Sequence, residues 1–212
     1  MAATTRPLSP AASALASDYL SHKDASKLLL VGAGALSQHF AHAHLAVRPI
    51  KQIKIFNRNH EKAVAVAGQL NAQGLAAEAV TDIEAAACEA DIISCMTSST
   101  TAIVKGAWLK PGAHVDLAGA FKPTMRETDS AVVAKARVYV DTRDGALAEA
   151  GDLLQARAEG QFSFDQVQGD LTQLCQGKVY GRQTDAEITL FKSCGTGLED
   201  LAGAELAYLR QG

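Results

Sequence analysis

The stretch KLLLV, residues Lys27 to Val31, runs directly into GAGALS, residues Gly32 to Ser37. A short unbroken apolar run is typical of a strand that is buried on both faces, as in a parallel sheet. The glycines end this strand, and apolar residues at helical spacing then continue to about Val47. The sequence therefore predicts a strand, a tight turn and a helix, the repeating unit of doubly wound α/β folds.

The same alternation continues along the chain. Further strands are predicted at residues 51–56, 91–95, 114–118 and 137–141, and helices at 61–71 and 83–88. Strands that alternate with helices over short connections form βαβ crossovers, which place helices on both faces of a parallel sheet. We therefore expect an α/β fold whose doubly wound parallel sheet occupies residues 25–145.

Helices are expected to flank this sheet domain. Apolar residues at helical spacing predict an N-terminal helix within residues 1–24, with Ser9 as its N-terminal cap. In residues 146–212, glycines divide a helical pattern into short pieces, ahead of an apolar run at 187–191 and an amphipathic helix from Leu198. The two terminal helices are expected to pack together.

Composition narrows the class of protein. Among 212 residues, 20 are Lys or Arg and 23 are Asp or Glu, so the net charge of −3 argues against charge-driven binding to nucleic acid or membrane surfaces. The sequence has no apolar stretch of about 20 residues and no apolar signal core near Met1, which favours a cytoplasmic protein. The cysteines lack a C-x-x-C pair and are expected to be reduced and mostly buried.

The glycine turn has the spacing of a dinucleotide-binding fingerprint, here in a G-x-G-x-x-S form. Gly32 permits the tight turn, and Gly34 lets a pyrophosphate approach the backbone N–H groups at the N-terminus of the following helix. Ser37 stands where a third glycine usually allows close packing of helix and strand. Because the fingerprint lies between a predicted strand and a predicted helix, it supports a Rossmann-type sheet with a dinucleotide site.

The second predicted strand ends in Phe56-Asn57-Arg58-Asn59. In NAD-specific folds an acidic residue near this point binds the ribose 2′-hydroxyl, but no Asp or Glu is present here. A guanidinium and amides suit a 2′-phosphate, so the sequence predicts NADP as the cofactor and makes NAD the less favoured one. In the alternative interpretation Arg58 is a solvated turn residue.

Two further strand ends are candidates for ligand contacts, because parallel sheets bind ligands at their carboxyl edge. Hydroxyls in the run MTSSTT, residues Met96 to Thr101, could bond ribose or phosphate oxygens, although such a run could equally cap the next turn. Gly119 and Ala120 are small enough to let a nicotinamide ring lie against the backbone.

Other chemistries have weaker support. His39 and His42 share one helix face, but no third metal ligand lies at a suitable spacing, so we expect surface or packing roles and no metal site. The motifs of serine hydrolases and P-loop NTPases are absent. Glu149, Asp152 and Asp170 are interpreted as solvated charges and helix caps, which leaves no catalytic residue assigned.

With these residues placed, the chain resembles the ornithine cyclodeaminase/mu-crystallin family. The resemblance covers about residues 11–211, and its motifs occur in the family's order. They read VGAGALSQ, FNRNHEKA, ADIISCMTSST, WLKPGAHVDLAGAFKPTMRETD, YVDTRDGALAEAGDLLQA and EITLFKSCGTGLEDLAGAELAY. The resemblance implies an NAD(P)-carrying Rossmann domain and a reaction such as cyclic ketimine reduction, alanine dehydrogenation or ornithine cyclisation.

Two departures from the family pattern narrow this expectation. The cyclodeaminases place a catalytic aspartate at the position of Phe121, so the resemblance favours the branch that reduces pyrroline- or piperideine-2-carboxylate with NADPH. Family members also carry an N-terminal half with the substrate and dimerisation domain, and the resemblance begins after it. The residues that hold the substrate carboxylate and the expected homodimer interface belong to that half, so turnover by this chain alone is not expected.

The family's cofactor contacts carry over to matching positions. The resemblance places the pyrophosphate against Gly32, Gly34, Ala35 and Leu36, and the adenosine ribose against Asn57, Arg58 and Asn59. It places the second ribose against Thr97 and Ser98, and the nicotinamide beside Ala118, Gly119 and Ala120. Lys192 and Ser193 would lie near the carboxamide; alternatively, Lys192 only ends a strand and Ser193 caps the helix that starts near Thr196.

Three hypotheses about function follow. The chain is part of an NADP-dependent reductase of small cyclic imino acids, or it is a non-catalytic NADP-binding protein with a storage or regulatory role. In the third hypothesis it is a subunit that completes its site with another polypeptide, and an exposed apolar surface would then be expected.

Overall fold

The computed structural model describes residues 8–209. In this part of the chain the strands are β1 (Lys27–Val31), β2 (Gln52–Phe56), β3 (Ala77–Val80), β4 (Ile92–Cys95), β5 (His114–Leu117), β6 (Ala136–Val140), β7 (Val167–Asp170) and β8 (Ile188–Lys192). The helices are α1 (Leu8–Leu20), α2 (Ser37–Val47), α3 (His60–Asn71), α4 (Ile83–Glu89), α5 (Ser130–Lys135), α6 (Arg143–Glu149), α7 (Gly151–Ala158), α8 (Leu171–Cys175) and α9 (Gly197–Leu209).

The strands form one parallel sheet in the order β3-β2-β1-β4-β5-β8-β6-β7. The direction in which successive strands are added reverses between β1 and β4, so a crevice opens beside the carboxyl ends of these two strands. The predicted fold class is therefore confirmed: the chain is an α/β protein with a Rossmann-type doubly wound parallel sheet, flanked by N- and C-terminal helices.

The sheet extends beyond residue 145, into the segment for which a mainly helical pattern was predicted. The apolar run at 187–191 is β8, which lies between β5 and β6, and β7 pairs with β6 at the edge of the sheet. The sequence analysis did not predict β3, β7 or α5, all of which are short. The sheet therefore does not end at residue 145 of the chain, where the sequence analysis placed the domain boundary, because β7 and β8 follow that residue.

The unbroken apolar run of β1 is explained by burial on both faces of the sheet. Leu29 and Val31 point to the core that includes residues of α4 to α7, whereas Leu28 and Leu30 point to the core formed with α2 and α3. A strand that has helices on both sides needs apolar side chains at every position, not at alternate ones. Packing on both faces therefore fixes the position of β1, and with it the start of the glycine loop.

The N-terminal helix is attached to the sheet domain through Arg48, which follows α2 and is 5% exposed. Its guanidinium forms an ion pair with Asp18 at 2.5 Å and donates hydrogen bonds to the backbone carbonyls of Ser17 and Ser21. These carbonyls lie at the C-terminal end of α1, where that of Ser17 also accepts from the N–H and the hydroxyl of Ser21. α1 also contacts α9, as expected for the terminal helices.

Smaller expectations differ from the structure. Ser9 lies inside α1 and does not cap it, because the helix already includes Leu8. The four cysteines are free, as predicted, but only Cys95 is buried. Within residues 8–209, no helix is both long and apolar enough to cross a membrane.

Candidate cofactor and substrate site

The central strands of the sheet end at one level. Val31 of β1 is paired with Phe56 of β2 and with Cys95 of β4. Cys95 is in turn paired with Leu117 of β5, and Leu117 with Lys192 of β8. The loops that follow these five residues therefore emerge side by side at the carboxyl edge of the sheet, and they contain the predicted site residues.

A cleft of about 840 Å³, here called the large cleft, lies at this edge. It follows the ends of β1 to β4, and its size falls within the range of about 300–1,000 Å³ that ligand pockets occupy. The predicted site residues that line it are Gly32, Gly34, Asn57, Arg58, Asn59, Thr97 and Ser98. Their placement agrees with a crevice at the switch point of the sheet.

The glycine loop leaves open space over the N-terminus of α2. Gly32 has a φ of 118°, and a Cβ there would lie 3.1 Å from the carbonyl oxygen of Met96, so this position favours glycine. At Gly34 a Cβ would have no neighbour within 4 Å. The hydroxyl of Ser37 donates to the carbonyls of Gly32 and Gly34, at 3.1 and 2.9 Å. The serine that replaces the third glycine therefore stabilises the glycine loop.

The predicted ribose residues divide into two groups. The side-chain oxygen of Asn57 accepts from the N–H of Ala33, and that of Asn59 accepts from the N–H of Lys62 and so caps α3. Arg58 is exposed and lines the large cleft, and the sequence analysis did not identify the neighbouring His60 and Lys62, which also line it. The amides of Asn57 and Asn59 therefore shape the backbone here, whereas the side chain of Arg58 has no hydrogen-bond partner among the described residues and is available to a ligand.

A second cavity of about 340 Å³, here called the small cavity, adjoins the first. Met96, Thr97 and Ser98 line both spaces, so the loop after β4 separates them. The predicted residues on the small cavity are Leu36, Thr97, Ser98, Ala118, Gly119 and Ser193. It is also lined by Ser9, Phe40, Phe121, Cys194 and Gly195.

Buried charges lie directly behind the wall of the small cavity. The ammonium of Lys192 donates to the carbonyls of Leu117 and Gly119, and the Glu127 carboxylate accepts from the N–H of Thr97 at 2.5 Å. Asp152 accepts from the backbone N–H groups of Glu127 and Thr128, both at 2.8 Å. Burial and, to a smaller extent, the nearby Asp152 carboxylate raise the pKa of Glu127 to about 7, against the lowering effect of Lys192.

Another buried carboxylate fixes the loop after β8. Asp141 accepts hydrogen bonds from the N–H groups of Cys194 and Gly195, at 2.6 and 2.7 Å, and from the hydroxyl of Ser193 at 3.3 Å. Ser193 is therefore engaged with Asp141, and the helix cap is Thr196, whose hydroxyl accepts from Glu199. The alternative assignment of Ser193 as the cap of α9 was wrong.

Three predicted contact residues line neither space. Ala35 is exposed in the turn before α2, and Ala120 is buried with a φ of 48°. Lys192 ends β8, as the alternative interpretation held, and its side chain is enclosed beneath the small cavity. Asp170 caps α8 as expected, but Asp152 is 1% exposed, so its interpretation as a solvated charge was wrong.

The sequence analysis missed Glu127 and Asp141 altogether, because nothing in the sequence distinguishes a buried carboxylate that binds backbone N–H groups from a solvated one. For the metal hypothesis, residues 8–209 bring together no group of three or more His, Cys, Asp or Glu that could hold an ion. His39 and His42 are exposed, and His42 contacts the side chain of Gln73.

The sheet, the glycine loop and the paired cavities define a protein of the Rossmann type. The sequence pattern of the ornithine cyclodeaminase/mu-crystallin family matches residues 1–211, and the chain belongs to this family. A curated relative, the Delta(1)-pyrroline-2-carboxylate reductase of Colwellia psychrerythraea, is 38% identical over 196 residues, which is 92% of this chain and 62% of the relative. The chain thus spans less than two thirds of the length of the curated relatives it matches.

Solved structures are similar over nearly the whole chain. The Delta(1)-pyrroline-2-carboxylate reductase of Thermococcus litoralis, in complex with NADH and L-proline, has a TM-score of 0.94 and 32% identity, over 97% of this chain and 64% of that one. The iminosuccinate reductase of Paracoccus denitrificans, in complex with NAD⁺, has a TM-score of 0.89 and 32% identity, over 98% and 65% of the two chains.

Proposed function

We propose that the chain is the cofactor-binding part of an NADP-dependent reductase, which reduces the C=N bond of small cyclic ketimine carboxylates such as pyrroline- and piperideine-2-carboxylate. The observation that carries the proposal is the pair of adjoining spaces at the carboxyl edge of the sheet, one lined by Arg58 and the other by Phe121. Two relatives at 38% identity are pyrroline-2-carboxylate reductases, which supports the reaction class.

The residues present fit a dinucleotide. Within the described chain, the N–H groups of Gly34, Ala35 and Leu36 have no hydrogen-bond acceptor. Such N–H groups before the first turn of a helix bind anions, and the open space at Gly34 admits a phosphate. The pyrophosphate would therefore lie at this loop, the adenosine ribose near Asn57 to Asn59, and the nicotinamide in the small cavity beside Ala118 and Gly119.

In the proposed reaction the chain binds the cofactor and orients its nicotinamide end. NADPH, when bound, supplies the hydride that reduces the imine carbon. Thr97 and Ser98 would orient its ribose between the two spaces, and the backbone at Gly119 would leave room for a flat ring. Phe121 is 44% exposed on the small cavity and cannot take up a proton, which supports imine reduction over a cyclodeaminase reaction that uses an aspartate here.

Arg58 carries the preference for NADP in this proposal. Arg58 is exposed and lines the large cleft together with Lys62, and no carboxylate lines that cleft among the described residues. A charged hydrogen bond to a phosphate contributes about 1.5–3 kcal/mol. NADPH should thus bind about tenfold or more tightly than NADH. Two structural neighbours are complexes with NADH or NAD⁺, so the preference needs its own test.

The cofactor preference is tested by calorimetric titration of the chain with NADPH and NADH. The Arg58→Gln variant should lose most of its affinity for NADPH and keep that for NADH. Lys51→Gln is the matched control, because Lys51 is exposed and precedes β2 at the opposite end of that strand. Equal affinities of the unaltered chain for both cofactors would overturn the assignment of the 2′-phosphate to Arg58.

The reaction is tested by following NADPH oxidation with pyrroline- and piperideine-2-carboxylate. Since the chain spans 62% of the Colwellia reductase, activity is measured for this chain and for a chimera that adds the unmatched part of that relative. Turnover by the chimera is expected. A chimera that is folded and binds NADPH, yet reduces neither compound, would contradict the proposed reaction and favour a non-catalytic NADP-binding protein.

A further inference from the structure

Three charged side chains with almost no exposed surface meet behind the small cavity. Glu127 and Lys192 are 0% exposed, and Asp152 is 1% exposed. They come from different parts of the chain, namely the loop before α5, the end of β8 and the start of α7. Buried charges are expensive unless they are paired, so a cluster with two carboxylates and one ammonium needs an explanation.

Glu127 holds two walls of the cavity together. Its Oε1 atom accepts the N–H of Thr97, in the loop after β4. A Cβ on Gly119, in the loop after β5, would overlap that same carboxylate and the carbonyl of Thr97. Since Thr97 and Gly119 both line the small cavity, the carboxylate lies immediately behind its wall. The Oε2 atom of Glu127 is buried without a hydrogen-bond partner among the described residues.

The charge of this cluster depends on Glu127. Asp152 and Lys192 face it from α7 and β8, and Cys95 faces it from β4. Burial raises the pKa of the Cys95 thiol well above its usual value, so that this group stays neutral. With Glu127 ionised the cluster has a net charge of −1, and with Glu127 protonated it is neutral. A neighbouring charge inside a protein interacts more strongly than the same charge in water.

We propose that Glu127 is a positioning residue for the nicotinamide end of the cofactor, and that its ionised carboxylate favours the oxidised, positively charged ring over the reduced, neutral ring. The inference rests on the proposed function, because it takes the nicotinamide to lie in the small cavity. Binding of the oxidised cofactor then releases a proton from Glu127 when that residue starts out protonated. The same charge stabilises the ring after it has given up its hydride.

The test compares the affinities of NADP⁺ and NADPH for the intact chain, by titration between about pH 5.5 and about pH 8.5. Both cofactors carry the 2′-phosphate, so the effect of its titration cancels in the ratio of the two affinities. In the unaltered chain, the ratio should shift toward NADP⁺ by about tenfold as the pH rises through the pKa of Glu127. In Glu127→Gln the ratio should not vary with pH.

Two further variants separate charge from structure. Glu127→Asp keeps the ionisation but withdraws the oxygen from Thr97, so both affinities should fall while the ratio still varies with pH. Glu149→Gln removes an exposed carboxylate of α6 and should leave the unaltered profile. Binding of both cofactors with a pH-independent ratio, or with the same pH dependence in Glu127→Gln, overturns the inference alone. Failure of both cofactors to bind overturns the proposed function as well.

Discussion

The side-chain oxygen of Asn57 accepts a hydrogen bond from the backbone N–H of Ala33 at 3.2 Å, which joins the end of β2 to the glycine loop. The amide nitrogen of Asn57 donates to the carbonyl of Asn59 at 2.8 Å, so one side chain fixes both sides of the large cleft. The sequence alone suggested a ribose contact at Asn57, whereas the structure gives its amide a role in shaping the loop.

Replacing Asn57 with Ala should weaken cofactor binding without changing the preference between cofactors. The substitution removes the bonds to Ala33 and Asn59; the one to Ala33 holds the glycine loop, and its loss, at about 1 kcal/mol, should lower the affinities for NADPH and NADH alike by about fivefold. Asn71→Ala is the matched control, because Asn71 also bridges backbone groups through both amide atoms, at Ala77, but lies away from the cleft. Calorimetry should detect no change in its affinities, and a selective loss of NADPH binding in Asn57→Ala would contradict this role.

Gly119→Ala should destabilise the fold, because the new methyl group would overlap the Glu127 carboxylate and the carbonyl of Thr97. Overpacking a buried site of this kind costs about 1–3 kcal/mol, to be measured by urea unfolding. Gly68→Ala provides the contrast, since Gly68 lies in α3 with nothing within 4 Å of the new Cβ. That variant should gain about 0.5–1 kcal/mol through helix propensity. Equal effects of the two substitutions would refute the contact.

Arg48→Met should loosen α1. It removes the ion pair with Asp18 and the hydrogen bonds that the guanidinium donates to the carbonyls of Ser17 and Ser21, which should cost about 2–5 kcal/mol. Hydrogen exchange should show faster exchange in α1 than in β1 of the variant. The control is Lys51→Met at an exposed position, for which unfolding should change by less than about 0.5 kcal/mol. Unchanged protection of α1 would argue against this attachment.

The sequence predicted the central part of the fold because its strands are short runs rich in apolar residues that are bounded by turn residues. β1, β4 and β5 are buried at nearly every position, which gives a strong local pattern. β3 is a short strand at the sheet edge with one exposed and three half-buried residues. β7 alternates in burial over only four residues, one of which is Gly169, so neither strand gives a strong local pattern. Their place in the sheet follows from pairing with β2 and β6, which local sequence does not encode.

The same contrast holds for the site. The glycine loop and the Asn57 to Asn59 segment could be found from the sequence, because each follows a recognisable strand. The roles of Glu127, Asp141 and Lys192 could not, because their partners are backbone groups on other strands and loops. The sequence analysis identified Lys192 as a candidate but did not predict where its side chain points. The ammonium lies beneath Gly119 because of the register of β8 against β5, which the local sequence does not show.

Glu127 should make the stability of the chain depend on pH in a predictable direction. Its pKa is raised to about 7 in the folded chain from an ordinary value of 4.5, so the folded state binds a proton that the unfolded state has already lost between these values. The unfolding free energy therefore falls as the pH rises through this range, and the contribution that is present at low pH is lost above about pH 7.

Relative to Glu127→Gln, which cannot ionise, the unaltered chain should lose about 3 kcal/mol between about pH 4.5 and about pH 8. Urea unfolding of both proteins across this range measures the difference, in which the titrating groups remote from Glu127 cancel. Glu149→Gln, at an exposed position, should show a constant difference from the unaltered chain. If the difference for Glu127→Gln were also constant, the Glu127 carboxylate would have to be solvated, and its place behind the small cavity would be wrong.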